Sequence, residues 1–330
     1  MTFSIIVPIY NRPDEAAELL QSLSEQTFWD FELVLVEDGS TKPCAPVVEQ
    51  FRSKITIHYI AKENTGRSDS RNTGMAYAKG DFFIFFDSDC IIPPTYLEVV
   101  NNLLLINNTD CYGGPDKEHA TFSPIQKAIN YTMTSFWTTG GIRGCHVKNE
   151  RFEPRTFNMG FSRRVYETVG GFLDMFGEDI ELSNRIRRAG FSIQLFPEAF
   201  VYHKRRVNLR RFYKQVFIFG QARINVHKLH PGSLRFVHTL PALAILMGVI
   251  FLSFAFVVTP CILYLPAIYV FLLFFDSLIK TKNLQIAGLS LFTAAIQIIG
   301  YGTGFIRSFV KKVIFRKGLE KRDELNKMYK

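Results

Sequence analysis

Phe82–Cys90 reads FFIFFDSDC: five apolar residues without a polar break, then Asp87, Ser88 and Asp89. A continuous apolar run of this length suits a strand buried on both faces of a parallel sheet. In an open α/β sheet, ligands sit beyond the carboxyl ends of the strands. Two carboxylates one residue apart at that edge can share a hard divalent cation, and the cation can then hold a diphosphate. D-x-D by itself also fits a solvated acidic turn, so the flanking sequence has to decide.

Upstream, Phe3–Val7 is another apolar run, closed by Pro8 and an irregular turn to Asn11. Pro13 and Asp14 open a helix to about Gln26. Phe31–Val36 predicts a strand ending in Glu37-Asp38-Gly39-Ser40, and Ile55–Ile60 predicts the next. A glycine-bearing polar loop, Asn64–Arg67, leads to a helix over Ser68–Ala78, and Gly80-Asp81 returns the chain to Phe82. This alternation is a doubly wound α/β pattern. No G-x-G-x-x-G follows the first strand and no G-x-x-x-x-G-K-[ST] is present, which disfavours a dinucleotide fold and a P-loop. The strand ends share a composition: Asn11 and Arg12, Glu37 and Asp38, Asp87 and Asp89, with Arg67, Arg71 and Asn72 on or beside the connecting helix. Carboxylates can hold a base N–H, ribose hydroxyls and a metal, and an arginine can meet a phosphate or the base. Gathered at one sheet edge, they point to a nucleotide-diphosphate site.

The runs PIYNR (8–12), VEDGS (36–40) and GRSDSRNTGMAYAKGDFFIFFDSD (66–89) resemble the nucleotide-sugar half of a family 2 glycosyltransferase. The resemblance covers residues 1 to about 205 and is to membrane-anchored members of the bacterial cell-surface polysaccharide type. It implies a GT-A-type nucleotide-diphospho-sugar transferase fold, α/β with a doubly wound, mostly parallel sheet, followed by C-terminal membrane helices. It also implies nucleotide-sugar contacts from Pro8, Tyr10, Asn11, Arg12, Glu37, Asp38, Arg67, Arg71, Asp87 and Ser88, with Asp38 on the base. The family often carries two aspartates where this chain has Glu37-Asp38. Asp87 and Asp89 are the implied ligands of Mg²⁺ or Mn²⁺, with His203 as a third.

Thr156–Ser162 predicts a further strand and Arg163–Val169 a short helix stopped by Gly170-Gly171. FLDMFGEDIELSNRIRRAGF (172–191) then places Glu178 and Asp179 at a helix start. Ile180, Leu182, Ile186 and Ala189 give its apolar face, Arg185, Arg187 and Arg188 suit its carboxyl end, and Gly190 stops it. In the resembling family this G-E-D element supplies the catalytic base, here Asp179 with Glu178 beside it. Asp179 is expected at the sheet edge opposite the donor contacts. Phe191–Phe196 and Ala199–Tyr202 predict the last strands. Ala120–Glu153, with Trp137, Gly140 and Gly141 but no firm periodicity, is where acceptor contacts are expected.

Charge divides the chain. Residues 1–200 carry a net −7 and residues 201–330 a net +16, so the second part should meet something anionic. Long apolar segments in that part favour a membrane surface over nucleic acid. Lys204–Lys214 interleaves Lys204, Arg205, Arg206, Arg210, Arg211 and Lys214 with aromatics, as in a helix lying among headgroups. Thr239–Val258 and Cys261–Ile279 are each long enough to span, joined by Thr259-Pro260. Leu284–Ile306 is a third uncharged stretch, weakened by Gln285, Gln297 and a glycine cluster. A basic tail follows from Arg307. Both basic clusters should be cytoplasmic, so the expectation is a two-helix hairpin with an interfacial or re-entrant third segment. The implied organisation is a catalytic domain over 1–205, a basic interfacial region over 206–235, hydrophobic segments over 236–306 and a cytoplasmic tail over 307–330. Five cysteines without paired or metal-binding spacing suit a reducing compartment. No basic region precedes Phe3–Val7, which reads as a strand rather than a signal peptide. Residence in a bacterial-type inner membrane, catalytic domain in the cytoplasm, is expected.

Together these readings imply inverting, metal-dependent transfer from a nucleotide-sugar, a UDP-sugar in the first instance, to a hydroxyl of a lipid-linked glycan acceptor at the membrane. Processive members of the family carry Q-x-x-R-W after the base. The region FYKQVFIFGQAR (212–223) lacks it, which points to single-sugar transfer. Two alternatives stay open. One is a polyprenyl-phosphate glycosyltransferase, whose anionic acceptor needs no base. The other is a catalytically inactive, membrane-tethered nucleotide-sugar-binding protein.

Overall fold

The computed structural model describes residues 1–117, 119, 121–140, 152–204, 208–257 and 259–318. Gly141, Cys145, Arg205, Arg206 and the tail beyond Gly318 lie outside the described residues. The chain forms two units, one from Met1–His119 with Val147–Lys204, the other from Ala120–His146 with Arg205–Lys321.

The first unit opens with β1 (Phe3–Ile9), α1 (Pro13–Ser24), β2 (Phe31–Asp38), a short α2 (Ala45–Glu49), β3 (Ile57–Lys62), α3 (Arg67–Tyr77) and β4 (Phe82–Phe85). It continues through β5 (Cys90–Ile91), α4 (Tyr96–Asn107), β6 (Cys111–Gly113) and β7 (Asp116–Lys117). The chain then contributes α5 (Pro124–Thr134) and α6 (Phe136–Thr139) to the second unit. It returns with β8 (Met159–Ser162), α7 (Arg163–Val169), α8 (Glu178–Arg188), β9 (Ile193–Leu195) and β10 (Val201–His203). The main sheet runs β3-β2-β1-β4-β8-β6-β9, and a small sheet runs β5-β10-β7. β8 is antiparallel to both β4 and β6, whereas the β1–β2, β1–β4, β2–β3 and β6–β9 pairs are parallel. Gly160 lets β8 fit between its neighbours, since a Cβ there would fall 2.8 Å from the Phe83 carbonyl oxygen.

Period-two alternation sorts the apolar run onto two cores. Phe82, Ile84 and Phe86 join β1 and β2 residues beneath α1 and α4. Phe83 and Phe85 join Met75, Met159, Phe161, Leu182 and Ile186 on the other face. All five are buried, and each side chain of this size contributes about 1.5–3 kcal/mol when removed from water. The mostly parallel, doubly wound sheet is as expected. Several element bounds differ from the sequence reading. β2 and β3 run two residues further, to Asp38 and Lys62, because the strand pairing continues to the register Asp38↔Lys62. The strand expected from Thr156 starts at Met159, because Arg155 and Asn158 first close a turn on each other. α4 and the small sheet were not foreseen.

The second unit adds α9 (Leu209–Leu229), α10 (Leu240–Val257), α11 (Tyr264–Thr281) and α12 (Leu284–Phe309). Among the described residues, three helical stretches, Leu240–Val257, Pro260–Thr281 and Leu284–Ile314, are long and apolar enough to cross a membrane. The third segment, expected to be interfacial or re-entrant, forms α12, one unbroken helix of 26 residues. Its glycines are packing sites rather than weaknesses. A Cβ at Gly304 would overlap the Phe217 carbonyl, one at Gly300 the Val216 side chain, and one at Gly302 the Pro241 carbonyl. α9 and α10 therefore approach α12 at backbone distance, as small residues permit between membrane helices. α9 buries Phe212 and Val216 and leaves Arg210, Arg211 and Lys214 exposed.

The contact grouping of the chain differs from the expected domain over 1–205. The described part of 120–146 belongs with the C-terminal helices, because α5 packs Ile129 and Met133 against Phe212 and Val216. Hydroxyls complete the seam. Tyr131 donates to Asp276 (2.6 Å), Thr132 and Thr293 share a hydrogen bond (2.6 Å), Tyr269 donates to the Trp137 carbonyl (2.9 Å) and Gln297 to the Thr138 carbonyl (3.1 Å). Trp137 and Gly140, expected near an acceptor, lie at the end of this seam.

Candidate active site

The carboxyl ends of β1, β2 and β4 deliver their polar residues to one edge of the main sheet. At the end of β2, Asp38 is buried and accepts from the Lys62 ammonium (2.6 Å) and from the amides of Thr65 and Gly66 (2.8 Å each). Gly66 has φ 95°, a conformation that glycine adopts without strain, and it turns the loop so that its amide faces Asp38. Glu37 points the other way along the strand. Its oxygens accept from the Cys44 amide (2.9 and 3.1 Å) and from the Tyr59 hydroxyl. Burial, then the Glu37 charge, pushes the Cys44 thiol up to about 12 and raises the Tyr59 phenol. Glu37 therefore has an internal duty, fixing the start of α2.

At the end of β1, Pro8 is still within the strand and Tyr10 is about half exposed. Asn11 adopts φ 54° and its Oδ1 accepts from the amides of Thr41 (2.8 Å) and Lys42 (2.9 Å), fastening this loop to the one after β2. Arg12 donates to Asp89 Oδ2 (2.8 Å) and lies 3.4 Å from Glu15. Burial works against the Arg12 cation, but Asp89, Glu15 and Asp87 outweigh it and hold the guanidinium above its ordinary value.

After β4 the two aspartates part. Asp87 Oδ1 accepts from Arg71 (2.7 Å), Ser88 is buried, and Asp89 lies 3.1 Å from His203 Nε2. β10 pairs antiparallel with β5 in the register His203↔Cys90, which brings the histidine beside Asp89, and its ring stacks on Phe157 at 4.5 Å. Ligating atoms of Asp89, Cys90 and His203 lie within 4.8 Å of one another. Carboxylates suit Mg²⁺ or Mn²⁺, so Asp89 fits such an ion, and His203 lies within reach of the same place. Burial first, then Asp89 and Asp87, push the Cys90 thiol well above its ordinary value. Asp87 is outside this compact group.

Glu178 and Asp179 open α8, with Gly177 at φ 85° before them. The two side chains have different partners. Glu178 is only 2% exposed and accepts from Arg67 (3.0 Å) and Arg71 (3.4 Å). Asp179 lies 3.4 Å from Arg155, and its Oδ1 accepts from the Ile180 amide (2.8 Å). The helix N-terminus favours the negative charge of both. Arg71, 1% exposed, thus bridges Asp87 and Glu178. The expected placement of Asp179 opposite the donor contacts is not what the contacts show: Arg71 links Asp87 to Glu178, the residue beside Asp179, so α8 starts near the donor carboxylates.

Lys62, Tyr59 and Arg155 were missed by sequence reading. The signal for Lys62 was present, since parallel pairing of β2 with β3 carries it to the level of Asp38. Arg155 carried no such signal, because it belongs to an irregular turn.

A mostly parallel sheet with one reversed strand, carrying an acidic pair and a helix-borne carboxylate at its edge, is the GT-A fold of glycosyltransferases. The mannosyltransferase PcManGT of Pyrobaculum calidifontis, solved with GDP-Man and Mn²⁺, shares this fold at a TM-score of 0.56 and 16% identity, over 96% of this chain and 88% of that one. Residues 4–170 match the profile of Glycosyl transferase family 2, and the chain belongs to that family. EpsJ of Bacillus subtilis, an uncharacterized glycosyltransferase, is 27% identical over 201 residues, 59% of this chain and 56% of EpsJ. Chondroitin synthase of Escherichia coli is 24% identical over 237 residues, 61% of this chain and 34% of the synthase. The chain thus spans about half the length of the first relative and about a third of the second.

Proposed function

We propose that the protein transfers one sugar from a nucleotide-sugar, a UDP-sugar in the first instance, to a hydroxyl of a lipid-linked glycan at the cytoplasmic face of a bacterial inner membrane, with inversion, in polysaccharide synthesis. The observation that carries this reading is Asp179. It sits at a helix start beside Arg155, and α8 is tied through Glu178 and Arg71 to Asp87. Asp38 receives the base of the donor, Tyr10 lies against it, and Arg12 and Arg67 lie within reach of the diphosphate. Asp89 and His203, with Asp87 beside them, would hold Mg²⁺ or Mn²⁺, which when bound supplies a Lewis acid for the leaving diphosphate. Asp179 takes the proton of the acceptor hydroxyl as its oxygen bonds to the anomeric carbon. The bond to the nucleotide diphosphate breaks on the opposite face, which inverts the centre. Single transfer is supported by the absence of Q-x-x-R-W, whose place is taken by residues of α9 packed on α12. Location at a membrane is supported by the three apolar helices.

Asp179→Asn tests the reading. It keeps size and removes the basic oxygen, so turnover should fall about 10²–10⁴-fold. Donor binding with Mn²⁺, measured by calorimetry, should stay near wild type. Near-normal turnover with donor binding intact would remove the hydroxyl acceptor and put a polyprenyl phosphate in its place.

A further inference from the structure

The end of α12 gathers cations where the apolar stretch stops. From Leu284 to Ile306 the helix has no charge, and Arg307 is the first. The helix then widens into a π turn over Val310–Ile314, a form frequent at functional sites. The turn closes when the Lys317 amide donates to the Lys311 carbonyl (3.1 Å) across Arg316, which has φ 52°. Such a closure is ordinarily completed by glycine. An arginine in that conformation is strain retained for the placement it gives its neighbours. The Lys228 ammonium of α9 donates to the Lys317 carbonyl and fixes the turn from the side.

The result is an open cleft of about 510 Å³ lined by Arg307, Lys311 and Lys317 together with Val310 and Phe315. Lys312 points inward instead and donates to Asn225. Between residues 201 and 318 the sequence holds one acidic residue, Asp276, and Lys280 and Tyr131 engage it. No carboxylate from this stretch neutralises the cleft.

We propose that this cleft binds the phosphate of an anionic lipid headgroup, with Val310 and Phe315 against the first carbons of the lipid. Three cations supply the anion recognition. The apolar lining selects an amphiphile, since a free phosphate gains nothing from it. The cations begin where the uncharged helix ends, at the level of hydrocarbon and headgroup for a helix of this length. The proposal is independent of the sugar-transfer reading.

Full-length protein in detergent, titrated with short-chain phosphatidylglycerol and followed by native mass spectrometry, provides the test. The protein should retain this lipid where phosphatidylcholine of the same chain length is lost, and excess inorganic phosphate should not displace it. Lys311→Gln with Lys317→Gln should weaken retention roughly tenfold or more, whereas Lys311→Arg with Lys317→Arg should preserve it. Both variants keep Arg307 over the Phe217 ring at 5.8 Å, so the α9–α12 packing is spared, and the melting temperature verifies this. Should the glutamine pair fail to fold, Lys311→Gln alone is read in its place. Equal retention of the two lipids, or unchanged retention in the glutamine variant, would overturn the proposal. Displacement by inorganic phosphate would do so as well, leaving a free-anion site.

Discussion

The two units bury polar groups by different means. In the transferase unit the buried contacts at the sheet edge are ionic: Arg71 lies between Asp87 and Glu178, and Asp38 takes Lys62. In the helical unit the α5 seam rests mainly on hydroxyls and amides, and α9, α10 and α12 close on glycine. A buried ion pair is costly to break because the abandoned partner stays charged in a poor solvent. A lost hydroxyl contact between apolar helices leaves little behind, and close packing carries the association. The contrast predicts a ranking of effects.

Arg71→Met should have the largest effect on stability, about 3 kcal/mol, since it leaves Asp87 without its arginine and Glu178 with Arg67 alone. Thermal unfolding of the full chain should lose its transferase transition or show it strongly lowered. A variant that melts with the wild type would erase the contrast. Gly304→Val should come next, at about 1–3 kcal/mol, because its Cβ falls on the Phe217 backbone, which cannot turn aside. Its signature should be loss of protection from proteolysis in α9 while Mn²⁺ binding persists. Tyr131→Phe should cost less, about 0.6 kcal/mol as such contacts average within membranes. A double-mutant cycle with Asp276→Asn measures it, and a coupling as large as the Arg71 effect would show that the helical unit also depends on charge.

The smallest effect concerns acid. Glu32 is buried. Burial by itself raises its pKa, but hydrogen bonds from the Lys79 amide and Ser4, with His58 nearby, outweigh that and hold the carboxyl below the ordinary 4.5. A depressed folded value means that its stabilisation is complete above the ordinary value and is lost as pH falls through the folded one. Glu32→Gln should therefore flatten the acid limb of the transferase unit's stability and leave the neutral region nearly parallel to wild type. An unchanged acid limb would assign that limb to other carboxylates.

The sheet was legible because each strand is an apolar run ending in polar residues, and Asn11, Asp38 and Asp89 fall where such runs end. The pairing of those residues was not legible. That Glu37 turns inward to Cys44 and Tyr59, or that Glu178 and Asp179 take different arginines, depends on register and helix phase across segments distant in sequence. The glycines of α12 misled for a related reason: a missing side chain reads as weak hydropathy, and only the neighbouring backbone reveals it as a place of contact. The place of α5 among the helices could not be read from its own sequence, because nothing local in it names Asp276 or Thr293.

That distance has a consequence for biosynthesis. Tyr131 and Asp276 are separated by 145 positions, and Thr132 and Thr293 by 161. At about 5–20 residues per second, α5 leaves the ribosome roughly 7–32 s before its covering helices are made. Throughout that interval α5 lacks those partners, including the hydroxyl of Thr293 and the carboxylate of Asp276. A chain that stopped between residues 204 and 293 would bear all the transferase strands described above together with an uncovered α5, a ready target for chaperones and proteases. Synthesis of α12 thus decides whether α5 is covered or exposed.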